Sequence, residues 1–167
     1  MKRTLLITLT ALVVLVPLAA WAGYNAYETS LSVGRLELTV RVPDPSLQVN
    51  ESANSSIELK NIDSHGIRVL DSQFWALHIR YYHENGTEVR WLYHRWPAVD
   101  PRPIRESDLR ILEPGQSIKF EVYSLPMEFF GKYHVQVEYH LGDLEEISLS
   151  HWKGSVFSNR AFFEVGD

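Results

Sequence analysis

The chain has 167 residues, of which 12% are aromatic and 22% charged, a composition that predicts one folded domain rather than a disordered chain. Its formal net charge is −5, and −7 once Lys2 and Arg3 are set aside, which disfavours nucleic acid as the general partner because phosphate binding needs a basic surface. The absence of cysteine excludes a disulfide scaffold, a thiol enzyme and a cysteine zinc site.

The N-terminal segment is apolar. Residues 4–22 carry no charge and follow the cationic start Lys2-Arg3, which predicts that this segment enters a membrane and that the rest of the chain faces outside the cytoplasm. Two interpretations stay open. Ala20-Trp21-Ala22 fits a cleavage site, and residues 1–22 would then be a signal peptide that leaves a secreted or periplasmic protein. Alternatively, the segment is close to the ~20 residues that span a bilayer and stays as a transmembrane anchor.

A short connection, residues 23–34, leads into residues 35–167, where apolar side chains recur with a period of two rather than 3.6. This pattern predicts an all-β domain preceded by one hydrophobic helix. The expected strands cover residues 36–42, 57–61, 74–83, 87–94, 117–123, 133–141 and 156–165. Residues 95–105 contain three prolines and are expected to form a long loop.

The strongest turn signal is Asn85-Gly86, which is typical of a two-residue type I′ hairpin because that turn needs positive φ twice. Opposing residues of such a hairpin would place three pairs on its outward face. These pairs are His78 with Tyr93, Arg80 with Trp91, and Tyr82 with Val89.

Trp75 shares a face with Leu77 and Ile79 in this alternation, and Gly131-x-Tyr133 opens a later strand. The arrangement resembles the tryptophan and tyrosine corner of prokaryotic immunoglobulin-like β-sandwich domains. Residues 74–120, with Asn85-Gly86 and a Pro-Gly turn before a strand, are loosely similar to the bacterial intracellular proteinase inhibitor type. The resemblance implies an immunoglobulin-like antiparallel sandwich over residues 35–167 and, as an alternative function, protease inhibition through the proline-rich loop 95–105.

The outward hairpin face is expected to lie beside residues 133–141, which add His134, Gln136, Glu138 and His140. Trp, Tyr and Arg are enriched at binding hot spots, so this face and the cationic loop after it are the predicted recognition surface. The candidate binding residues are His78, Arg80, Tyr82, Trp91, Tyr93, Arg95, Trp96 and Arg102.

No catalytic motif is found, and neither a metal nor another cofactor is expected. His134 and His140 are separated by roughly 20 Å along a strand and cannot share an ion, which leaves His78 with one of them as the only pair of interest. The predicted function is a non-catalytic binding module of the cell envelope. Its partners would be a protein or a surface polymer, and the membrane through residues 4–22. A purely structural envelope component is the second alternative.

Overall fold

A computed structural model describes residues 2–89, 103–144 and 147–166. Within these ranges it describes the side chains of all residues except 2–15 and 74. The chain begins with one long helix, α1 (Lys2–Ser30), and continues into a domain built almost entirely of strands. A single helical turn, α2 (Gln73–Ala76), and a 3-10 turn at Glu106–Asp108 interrupt the strands.

The strands are β1 (Leu36–Arg41), β2 (Ser46–Gln48), β3 (Ser52–Asn61), β4 (Ile67–Leu70), β5 (Leu77–His83), β6 (Leu109–Leu112), β7 (Ser117–Pro126), β8 (Gly131–Leu141), β9 (Gly154–Phe157) and β10 (Ala161–Gly166). The first sheet has the order β1-β3-β7, and the second has the order β2-β10-β8-β5 with β9 also paired to β8. β4 and β6 form a separate two-stranded sheet. The pairing is antiparallel except between β2 and β10.

One hydrophobic core lies between the inward faces of the first two sheets. The inward residues Tyr133, Val135, Val137 and Tyr139 of β8 are buried, which is the expected pattern of a strand with one face on a core. The Tyr139 hydroxyl donates to the carbonyl of Leu70 at 3.1 Å and accepts from the Leu70 N–H at 2.9 Å, so the deepest phenol is fully satisfied. Burial raises its pKa above the ordinary value.

The C-terminal end of α1 is fixed to the β domain by a buried ion pair. Arg68 is 7% exposed and donates from two guanidinium nitrogens to the two carboxylate oxygens of Glu28, at 2.7 and 3.1 Å. It also donates to the carbonyl of Ser150 at 2.8 Å. The hydrogen bond from Arg68 holds the pKa of Glu28 below its ordinary value. The Trp152 indole donates to the Gly34 carbonyl at 3.1 Å, so the connection after the helix is fixed as well.

The helix therefore runs eight residues beyond the predicted boundary at residue 22, and the connection to β1 is shorter than residues 23–34. Among the residues that the structure describes, no helix is long and apolar enough to cross a membrane.

Several short elements differ from the sequence-based expectation. β2, β4 and β6 were not predicted, and β3 begins at Ser52, before the predicted start of that strand at residue 57. Ala53 and Ser55 are fully buried there, because β3 is the central strand of its sheet and pairs on both sides, which outweighs the weak strand propensity of a serine-rich stretch.

The prediction for Trp75 is wrong. It lies in the helical turn α2 rather than on a strand and is 38% exposed, because helical geometry turns its neighbour Ala76 toward the core instead. Among the described residues of the domain, the buried tryptophan is Trp152, whose ring packs on Tyr139 with centroids 5.8 Å apart. Tyr133 agrees better with the predicted corner, since its hydroxyl donates to the carbonyl of Phe129, four residues upstream, at 2.9 Å.

Candidate functional site

The outer face of the second sheet is the side of β5, β8, β9 and β10 that points away from the core. The structure confirms that β8 lies directly beside β5, with His78 opposite Glu138, Arg80 opposite Gln136, and Tyr82 opposite His134. β10 and β9 add Phe162 and Phe157, which are 63% and 57% exposed. The surface is continuous over strands from distant parts of the sequence.

Three rings form an aromatic row across this face, namely Tyr82, His134 and Phe162. The Tyr82 and His134 rings are stacked with centroids 5.0 Å apart and planes 13° apart. The His134 and Phe162 rings follow at 5.3 Å and 43°. Each ring comes from a different strand and is aligned by the register, since His134 is opposite both Tyr82 and Phe162.

His134 is the unusual member of the row, because its two neighbours bury it to 4% exposure. Its Nδ1 has no hydrogen-bond partner among the described residues. Burial, and secondarily the positive charge of Arg160, lowers the pKa of His134, so the ring stays neutral around pH 7. The Nδ1 atom itself is covered by protein, so a ligand on this face reaches it only if a neighbouring side chain moves.

Beside the row, a groove of about 420 Å³ opens at the end of β8 and β10. Phe162 forms an apolar part of its lining, while Lys132, Glu84 and Glu164 supply charges of both signs. Lys132 and Glu164 are direct cross-strand partners. The groove thus combines an exposed ring with polar groups that could fix the orientation of a ligand.

The register of the predicted hairpin is wrong by one residue. Tyr82 is opposite Glu88 rather than Val89, and the His83 N–H donates to the Thr87 carbonyl at 2.9 Å, which leaves three residues in the turn. Gly86 has a φ of +84°, whereas Asn85 is not among the described non-glycine residues with positive φ. The Asn85 side chain instead accepts from the Thr87 N–H at 2.9 Å, which favours a three-residue loop over type I′.

The slip of one residue moves Val89 from the outer face to the core, where it is 2% exposed. Of the candidate binding residues, the structure brings His78, Arg80 and Tyr82 together on one face. The other candidates, Trp91, Tyr93, Arg95, Trp96 and Arg102, lie outside the described residues, as does most of the loop 95–105.

Phe162, Phe157 and Lys132 were not among the predicted site residues. The signal for Phe162 was present, because Phe163 and Val165 alternate with it and are buried, which forces Phe162 outward. What the sequence does not contain is the pairing of β10 with β8, which places Phe162 next to His134.

Comparison with known proteins does not assign a family. No protein-family model and no curated protein matches the chain. Among solved structures, a CARDB domain from Pyrococcus furiosus in complex with di-metal ions is similar at 18% identity over 80% of this chain and 96% of its own, with a TM-score of 0.39.

Two further solved structures are similar at lower identity. AvmM, which catalyses macrocyclization in alchivemycin A biosynthesis, is 11% identical over 81% of this chain and 91% of its own, with a TM-score of 0.44. The Pseudomonas fluorescens alkylpurine DNA glycosylase AlkC bound to DNA is 13% identical over 90% of this chain and 40% of its own, with a TM-score of 0.37. None of these similarities assigns a ligand or a function to this chain, and none supports the resemblance to the proteinase inhibitor type.

Proposed function

We propose that the chain is a non-catalytic binding module of the cell envelope that recognises a protein or a surface polymer through the outer face of its second sheet. The observation that carries the proposal is the aromatic row, in which Phe162 is 63% exposed beside the rings of His134 and Tyr82 on a continuous sheet face. Aromatic side chains are enriched at protein interfaces relative to the rest of the surface, and clustered exposed rings are typical of interaction sites.

The composition of the row suits a ligand that lies flat across the strands. Tyr82 and Phe162 flank His134 on either side, so a ligand that covers this row contacts mainly the two outer rings. Lys132 and Glu164 in the adjoining groove provide a cation and an anion for a polar segment of the same ligand. A peptide chain or a sugar polymer has the required mixture of apolar and hydrogen-bonding groups.

An immunoglobulin-like arrangement is part of the proposal. It is supported by the strand orders β1-β3-β7 and β2-β10-β8-β5, which correspond to strands A-B-E and A′-G-F-C of that architecture. The hydrogen bond from the Tyr133 hydroxyl to the Phe129 carbonyl supports it further, because it has the spacing of a tyrosine corner.

The location outside the cytoplasm rests on the sequence of residues 4–22, which carry no charge behind Lys2 and Arg3. Mass spectrometry of the mature N-terminus distinguishes the two forms of this proposal. A chain that starts at Gly23 means a released domain, whereas an intact N-terminal segment means a membrane-anchored one.

The binding surface is tested by capture of partners from native envelope membranes with the full-length chain in detergent. We expect the double variant Tyr82→Ala, Phe162→Ala to lose the captured partner. Tyr123→Ala is the matched control, because Tyr123 is 66% exposed and lies on β7 of the other sheet. Equal capture by the wild type and the double variant would overturn the proposal.

Protease treatment of the membranes before capture separates the two partner classes, since it removes a protein partner and leaves a polymer. An assay of envelope proteases with the same preparation tests the inhibitor alternative. Slower proteolysis that persists in the double variant would favour inhibition through another surface.

A further inference from the structure

A histidine pair lies at the opposite end of the outer face from the groove. His78 on β5 is opposite Glu138 on β8, and His140 follows Glu138 by two residues, so the two imidazoles are diagonal neighbours on the same face. Both residues are exposed. Their ring centroids are 6.1 Å apart, with the planes at 62°.

The His140 ring is held in place on one side only. Its Nδ1 lies 2.8 Å from the hydroxyl oxygen of Ser155, the residue opposite it on β9. This contact leaves Nε2 for another partner. Histidines that bind metal ions commonly have this arrangement, in which a hydrogen bond at one ring nitrogen orients the ring and the other nitrogen binds the ion.

We propose that His78 and His140 together bind one divalent transition-metal ion of the kind that prefers imidazole ligands, with Cu²⁺ bound most tightly. Metal–nitrogen bonds of about 2.0–2.1 Å place the centroids of two imidazoles on a shared ion roughly 4.5 Å apart at a ligand angle of 90° and roughly 5 Å apart at a tetrahedral angle. The observed 6.1 Å therefore has to shorten by rotation of the two side chains, both of which are exposed. Cu²⁺ ranks first because its affinity for nitrogen ligands exceeds that of Ni²⁺ and Zn²⁺.

The site has two protein ligands and open positions for water. No group of three or more histidines, aspartates, glutamates or cysteines that could hold an ion occurs among the described residues. Glu138 is the nearest carboxylate along the strands, but its Oε2 lies 3.6 Å from an Arg80 guanidinium nitrogen and is engaged there. An ion on His78 and His140 therefore remains exchangeable, and a donor atom of a bound partner could complete its coordination.

The histidine pair and the aromatic row are separate sites. Tyr82 lies four residues from His78 along β5, which corresponds to about 13 Å. The metal proposal therefore stands or falls independently of the proposed partner recognition. The excess of acidic residues in the chain, at a net charge of −5, adds a general attraction for cations.

Isothermal titration of the full-length chain in detergent, purified without a histidine tag, measures binding of Cu²⁺, Ni²⁺ and Zn²⁺ directly. We expect one Cu²⁺ per chain and at least a tenfold loss of affinity in both His78→Gln and His140→Gln. His83→Gln is the matched control and should bind Cu²⁺ like the wild type, since His83 is on the same strand and contacts the Tyr133 ring instead.

Electron paramagnetic resonance of the Cu²⁺ complex should show two nitrogen ligands, and one in each single variant. Circular dichroism checks that the variants remain folded. Unchanged affinity in both His78→Gln and His140→Gln, or an equal loss in His83→Gln, contradicts the proposal, because either result means binding distributed over other surface histidines.

Discussion

Buried polar groups have hydrogen-bond partners in one region of the molecule and lack one in another. The first region is the junction between α1 and the β domain, and the second is the outer face of the second sheet. At the junction, Arg68 is 7% exposed and donates to both carboxylate oxygens of Glu28 and to the Ser150 carbonyl. On the outer face, His134 is 4% exposed and its Nδ1 has no partner among the described residues. Equal burial thus accompanies a completed network in one region and an incomplete one in the other.

The completed network at the junction indicates that its polar groups contribute to the stability of the fold. Loss of a partner inside a completed, buried network is costly, because the remaining charge or donor stays unsatisfied. A residue on an exposed face contributes little to stability and can be kept for recognition. Three variants, one at the junction, one in the core and one on the outer face, test how much each region contributes to stability.

The largest effect is expected for Arg68→Ala, which leaves the Glu28 carboxylate and the Ser150 carbonyl without their donor. Loss of one partner of a buried ion pair costs about 3–5 kcal/mol, although Glu28 can regain some solvent here, which favours the lower value. Urea unfolding of the full-length chain, followed by tryptophan fluorescence, measures the change in the free energy of unfolding.

Arg110→Ala is the control for this variant. Arg110 forms an ion pair with Asp71 at 3.4 Å, but both side chains are exposed, so the expected loss is below about 1 kcal/mol. Equal losses in the two variants would mean that the junction is no more important to stability than a surface ion pair.

An intermediate effect is expected for Tyr139→Phe. The change removes one hydroxyl and leaves both the N–H and the carbonyl of Leu70 unpaired in the core, at a cost of about 1–3 kcal/mol. Thermal unfolding is the simplest measurement. Tyr82→Phe serves as the comparison, because Tyr82 is on the outer face and should lose less than about 0.5 kcal/mol.

The smallest effect on stability is expected for Phe162→Ser, which removes the most exposed ring of the aromatic row. Because Phe162 is 63% exposed, the free energy of unfolding should change by about 0.5 kcal/mol or less. Urea unfolding followed by tryptophan fluorescence measures this change in the free energy of unfolding. A decrease in the free energy of unfolding above about 2 kcal/mol would contradict the comparison, because Phe162 would then stabilise the sheet.

The strands with strong alternation were predictable from the sequence. β1, β7 and β8 lie where the period of two placed them, and the neighbourhood of His78 and Glu138 follows from pairing β5 with β8. The short strands β2, β4 and β6 were not predictable, because three or four residues carry no periodic signal and are fixed by pairing with distant segments.

The candidate site was predictable only in part. His78, Arg80 and Tyr82 were found from the alternation of one strand. The hairpin register could not be predicted, because the hydrogen bond from the Thr87 N–H to the Asn85 side chain competes with the turn expected for Asn-Gly. The aromatic row depends on the pairing of β10 with β8, and this pairing of two segments cannot be predicted from the sequence.

The fixed end of α1 has a consequence for how a partner meets the protein. Residues 23–30 continue the helix and span about 12 Å along its axis, and Glu28 is bound to Arg68 at the end of this length. These residues therefore act as a rigid spacer rather than a hinge. In the membrane-anchored form of the proposal, this spacer would hold the β domain close to the bilayer surface, where a partner in the same membrane can contact its outer sheet face.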